Sequence, residues 1–97
     1  MIPHAFHPEA EVEFADAATF YESKMVGLGV VFVSEVERTV ALIRERPDLG
    51  AAVGRDRRRV PVSRFPYSIV YRRRPLSILV LAVADQRRRP GYWRRRK

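Results

Sequence analysis

Residues 67–83, YSIVYRRRPLSILVLAV, decide the fold. Tyr67, Ile69 and Tyr71 alternate with Ser68 and Arg72, the period of two expected of a strand with one apolar face. Leu76 to Val83 is then an aliphatic run interrupted only at Ser77, the pattern of a central strand covered on both faces. Arg73-Arg74-Pro75 between them has the length of a hairpin connection. Just upstream, Val60 and Val62 alternate with polar or proline positions and add a third strand. The segment from Asp48 to Asp56, with Gly50 and Gly54, is expected to be a loop.

Further upstream the period changes to three and four. Ala10, Phe14, Ala17, Ala18, Tyr21 and Met25 form one apolar helical stripe. His7-Pro8-Glu9-Ala10 marks its start, with Glu9, Glu11, Glu13 and Asp16 complementing the positive end of the helix dipole. Gly27-Leu28-Gly29 breaks that helix. A second begins at about Leu28, with Phe32, Val33, Val36, Val40 and Ile43 on one side, and Pro47-Asp48 ends it. Ile2 to Phe6 is a candidate short strand at the sheet edge. The expected fold class is therefore α+β, in the order β-α-α-β-β-β, with a small antiparallel sheet packed against an αα-hairpin. Phe14, Tyr21, Phe32, Val36, Ile43, Ile69, Leu79 and Leu81 are expected to share one core between the two layers.

A chain of 97 residues bounds this at one domain, 1–97, with a basic C-terminal tail from about residue 85. Hydrophobic residues make up 46% of the chain, too many for a disordered polycation. The absence of cysteine excludes a disulfide framework, a thiolate zinc site and a cysteine nucleophile, and points to a reducing cytoplasm. The longest apolar run, Ile78 to Ala84, falls far short of the roughly 20 residues of a membrane helix, so no membrane partner is expected.

The charge is segregated. Met1 to Asp48 carries nine acids and four bases, whereas Leu49 to Lys97 carries two acids and fifteen bases, giving −5 and +13 and a net +8. An anionic partner belongs with the second half. The arginines cluster at 55–59, 72–74, 87–89 and 94–96. Residues around 59, 72 and 87 are expected at neighbouring strand ends, about 5 Å apart, where their charges would add. Tyr92 and Trp93 lie among these cations, able either to stack on bases or to pin the tail onto the sheet. No metal or cofactor signature is present, and His4 and His7 suit a surface or capping role at the strand-to-helix joint.

Four segments in order, Phe6-x-Pro8-Glu9-Ala10, Gly27-Leu28-Gly29-x-x-Phe32-x-x-Glu35-Val36, Arg64-Phe65-Pro66-Tyr67-x-Ile69-Val70-Tyr71 and Arg88-Arg89-Pro90-Gly91-Tyr92-Trp93, span nearly the whole chain. Together they resemble the RelE/ParE superfamily of bacterial type II toxins. The resemblance implies a small basic cytoplasmic toxin without a cofactor, active in growth inhibition and plasmid stabilisation. It also implies a hetero-oligomer with a cognate antitoxin whose acidic, partly disordered C-terminal segment binds the toxin directly.

That superfamily holds two activities. ParE-like members inhibit DNA gyrase, and RelE-like members are metal-independent, ribosome-dependent mRNA endonucleases. A ribonuclease here would rest on Arg59, Arg87 and Tyr92. However, Ser68 stands where a middle-strand arginine is expected, no lysine lies between Lys24 and Lys97, and no histidine follows His7. Arginine stays protonated and is a poor base, so Tyr92 would have to serve, with its pKa strongly depressed by cations. Arg-Arg-Pro-Gly-Tyr-Trp is also ParE-like. The expectation is a non-enzymatic gyrase inhibitor whose target-binding residues are Arg59, Arg72, Arg87, Arg88, Arg89, Tyr92 and Trp93, with the ribonuclease as the alternative.

Overall fold

The computed structural model describes residues 1–97. Strand β1 (His4–Phe6) leads into α1 (Pro8–Lys24), where Pro8 sits at a position whose N–H would have no helical partner. His7 accepts the Glu9 N–H through Nδ1 at 3.1 Å and so caps α1, as expected. The turn to α2 (Leu28–Glu45) is tight, because a Cβ built on Gly29 would lie 2.7 Å from the Ala18 carbonyl oxygen. Glu22 reaches across from α1 and accepts the N–H groups of Gly27 and Gly29, satisfying two donors at the start of α2.

Four further strands follow: β2 (Ala51–Ala52), β3 (Arg57–Pro61), β4 (Tyr67–Arg73) and β5 (Ile78–Asp85). They join β1 in one sheet of order β1-β5-β4-β3-β2. The α+β order with an αα-hairpin is as the sequence predicts, with three differences. The sheet is mixed, since β1 runs parallel to β5 while the other pairs are antiparallel. The two helices and three strands separate β1 from β5 in the chain, a connection that allows parallel pairing, and three residues give no pairing direction on their own. The loop at Asp48–Asp56 holds the two-residue β2, whose alanines pair with Arg58 and Arg59 through backbone alone. Leu76 stays in the β4–β5 turn, 82% exposed, where the Arg74 N–H bonds the Ser77 carbonyl, so β5 begins at Ile78.

The expected single core is two. Phe32, Val36, Ile43, Ile69, Tyr71, Ile78, Val80 and Val83 are buried on the helix face, with the partly buried Phe14 and Tyr21 packed against them. Leu79 and Leu81 face the other way, in a second cluster with Val70, Ala82, Ala84 and Trp93. Strand alternation puts Leu79 and Leu81 on one side, and a bulge turns Ala82 to that side as well. Tyr71 pairs with Val80 while Val70 pairs with Ala82, so Leu81 is the extra residue and Val83 returns to the helix side.

The outer edge of β5 is closed in two ways. β1 covers only Ile78–Val80. Beyond it, the Val83 N–H donates to Glu13 Oε1 at 3.0 Å and the Leu81 carbonyl accepts Arg96 Nη1 at 3.0 Å. Side chains thereby satisfy an edge that would otherwise invite another strand.

Candidate anion-binding face

The sheet face turned away from the helices is roofed at one end by residues 86–94, enclosing a cavity of about 300 Å³. Arg59 enters it from β3, opposite Val70 on β4. Arg88, Arg89 and Arg94 enter from the tail. Tyr92 and Trp93 line the same cavity, so five of the seven expected target-binding residues come together there.

Arg72 and Arg87 do not join them, and the expected convergence of strand ends holds only between β3 and β4, where Arg57 lies opposite Arg72. Arg72 pairs opposite Leu79, at one end of β4, whereas Arg87 follows Asp85, which pairs with Tyr67 at the other end. Five residues of strand separate those positions, roughly 17 Å. Antiparallel neighbours put the end of one strand beside the start of the next, so the clusters at 57–59 and 72–74 share one end of the sheet and the cluster at 87–89 lies at the other. Each of the two has an acid instead. Arg72 Nε lies 3.1 Å from Asp56, which also holds Arg57 at 2.7 Å. Arg87 grips Asp85 with Nε at 2.9 Å and Nη2 at 2.8 Å, while Asp85 accepts the Arg87 backbone N–H as well. That bonding holds the Asp85 carboxyl below the usual carboxylate range and raises the guanidinium.

Trp93 is 6% exposed and packs with Val70, Leu79, Leu81, Ala82 and Ala84, so it pins the tail to the sheet. Tyr92 is also committed. Its hydroxyl donates to Glu13 Oε2 at 2.7 Å, and the Arg88 guanidinium lies 3.7 Å from its ring centroid. Burial first, and then the hydrogen bond to Glu13, push its pKa well above the usual phenol range, outweighing Arg88 and Arg96. The depression that acid-base chemistry at Tyr92 would need is replaced by the opposite shift. Ser68, 2% exposed, accepts the Gln86 amide at 3.1 Å and brings no charge to the middle strand.

Glu13, Arg94 and Arg96 are the residues that sequence reasoning missed. Glu13, expected only to complement the helix dipole at the start of α1, accepts Arg96 Nη1 at 2.8 Å and Nη2 at 2.9 Å, Tyr92, and the Val83 N–H, with Arg88 at 3.5 Å. Arg57 in turn donates to the Arg96 carbonyl at 3.2 Å. The one available signal is the four-residue step from Glu9 to Glu13, which sets both acids on the side that meets Arg96. Arg94 depends on Gly91, whose φ of 78° suits glycine and whose missing Cβ leaves room for the guanidinium, 2.6 Å from where that carbon would be.

No group of three or more His, Cys, Asp or Glu side chains is placed to hold a metal ion. No helix is long and apolar enough to cross a membrane. Neither a family model nor a curated protein matches the sequence. The backbone, however, is similar to a chain of a solved structure described as the chromosomal ParDE TA system from P. aeruginosa. The TM-score is 0.73 at 17% identity, over 88% of this chain and 96% of that one. The fold is RelE/ParE-like. The α+β fold with an αα-hairpin on the sheet, which the sequence resemblance implies, is thus met.

Proposed function

We propose that this chain is the toxin of a type II toxin-antitoxin pair, ParE-like in acting on DNA gyrase, cytoplasmic, and neutralised by direct binding of its antitoxin. The observation that carries it is the backbone likeness to a chain of a ParDE system over most of both lengths. The state of Tyr92 supports the gyrase target over mRNA cleavage. With its proton held by burial and by Glu13, and with Ser68 neutral, the face offers cations but no group that titrates near neutrality. Binding, rather than proton transfer, is the chemistry such a face performs.

The antitoxin segment is expected to carry acids and apolar anchors. A groove between β1 and the two helices, floored by Phe6, Phe14, Val36 and Val40 and rimmed by Arg44 and Glu37, offers surface for the apolar anchors. Complex formation should weaken with salt without vanishing, because the apolar anchors are not screened.

Paired assays on one preparation test the proposal: gyrase supercoiling, and cleavage of mRNA on translating ribosomes. Loss of supercoiling with intact mRNA is the expected result, and Tyr92→Phe should leave it nearly unchanged. Ribosome-dependent cleavage that Tyr92→Phe lowers by about 10²- to 10⁴-fold would overturn it.

A further inference from the structure

We propose that the face formed by Arg59, Arg88, Arg89 and Arg94 binds the phosphodiester backbone of double-stranded DNA directly and without regard to sequence. Three of these guanidiniums, Arg59, Arg89 and Arg94, make no ion pair or side-chain hydrogen bond within the chain, and Arg88 reaches an acid only at 3.5 Å. The one acid lining the cavity, Asp85, is already neutralised by Arg87. Four like charges around one cavity repel one another until an anion enters, and polyphosphate supplies anions at regular intervals.

The extent of the charge favours a polymer over a small anion. Arg57 and Arg59 lie two apart on β3, and the basic half carries fifteen cations against two acids. The helices, with most of the acids, stand on the opposite side of the sheet, so the positive field is one-sided.

The absence of a free aromatic ring selects the duplex. Single-strand sites combine a basic groove with rings on which bases stack. Here Tyr92 and Trp93 are the only rings in the lining. Trp93 is buried under the tail, and Tyr92 is covered by Arg88 and tied to Glu13. Guanidiniums without a stacking platform read backbone charge and leave bases paired.

The test is fluorescence anisotropy of a labelled 24-base-pair duplex of arbitrary sequence, with single-stranded DNA and RNA of the same length alongside. Four phosphate contacts predict a log–log salt slope of about −3.6, or roughly a hundredfold loss of affinity between 50 and 200 mM salt. The combined Arg59→Ala, Arg89→Ala and Arg94→Ala variant should bind at least about tenfold more weakly, with the slope falling to about −1. A control removing the same charge elsewhere, Lys24→Ala with Arg46→Ala and Arg74→Ala, should keep both affinity and slope near the parent's. Should the triple variant lose its fold by circular dichroism, Arg89→Ala alone serves, with an expected slope change of about one.

Equal losses in the site and control variants, tighter binding of single-stranded RNA than of duplex, or dependence on base sequence would each overturn the inference. Gyrase is absent from this measurement, so the two proposals separate. Duplex binding with this signature in a chain that leaves supercoiling intact keeps the inference and ends the gyrase proposal. Supercoiling inhibition by a chain that does not bind duplex does the reverse.

Discussion

The two faces of the sheet are held by different physics. On the helix face, Phe32 sits within ring-packing distance of Phe14, Tyr21, Phe65 and Tyr67, at centroid separations from 5.1 to 6.1 Å. On the tail face five buried sheet residues, Val70, Leu79, Leu81, Ala82 and Ala84, are covered by the twelve residues 86–97, which have no helix or strand of their own and contribute Trp93 to the cluster. Apolar area holds the first face, and a polar clamp at Glu13 secures the cover of the second. A short basic segment can therefore act as a structural layer, provided that one acid on another element gathers its cations.

Several substitutions would break or sharpen that contrast. Phe32→Ala should cost the most, about 3 to 5 kcal/mol, because a fully buried ring leaves a cavity in a rigid aromatic cluster. Leu81→Ala, on the tail face, should cost about 2 to 4 kcal/mol. Thermal unfolding followed by circular dichroism measures both, and a larger loss at Leu81 would make the tail face the stronger layer.

Glu13→Ala should come next, at about 3 kcal/mol, since it strands the largely buried Arg96 and frees the Val83 N–H. Its distinguishing mark is local: trypsin should cut after Arg94 to Arg96 much faster than in the parent, while the helices stay protected. Uniform cleavage along the chain would mean that the clamp stabilises the whole molecule. Tyr92→Phe removes one of Glu13's partners and should cost about 1.5 kcal/mol.

Alkaline titration gives the smallest and most diffuse signal. Tyr21, Tyr67, Tyr71 and Tyr92 are all held above the usual phenol range, chiefly by burial. The unfolded chain releases those protons near pH ~10 while the folded chain keeps them. Their contribution is complete below that pH and declines as pH rises past it. Denaturant midpoints measured from pH 8 to 11 should fall above about 10. The decline should be shallower in Tyr92→Phe.

The helix face was legible because its signals are local. Spacing of three and four placed α1 and α2, the Gly27-Leu28-Gly29 turn separated them, and alternation in β4 chose its buried side. β1 was visible as a strand but not in its direction, which depends on a partner more than seventy residues away. Leu79 and Leu81 fall on the tail side together, because an aliphatic run covered on both faces has no polar alternation to mark which face meets the helices. The anion-binding face was half legible. Arginine clusters named its members, yet strand direction decided which of them meet, and that sent Arg72 and Arg87 to other neighbours. Glu13 left almost no trace, because its partners lie 70 to 83 residues further along the chain.

The single tryptophan happens to lie in the tail layer rather than among the helices. Its indole emission is thereby a private optical gauge of that layer: docked, the ring is shielded and should emit toward the blue, and lifted into water it should shift red. Tail release can be followed in real time without a label, in the free chain or in a complex, while the aromatic cluster under the helices stays silent in the same spectral window.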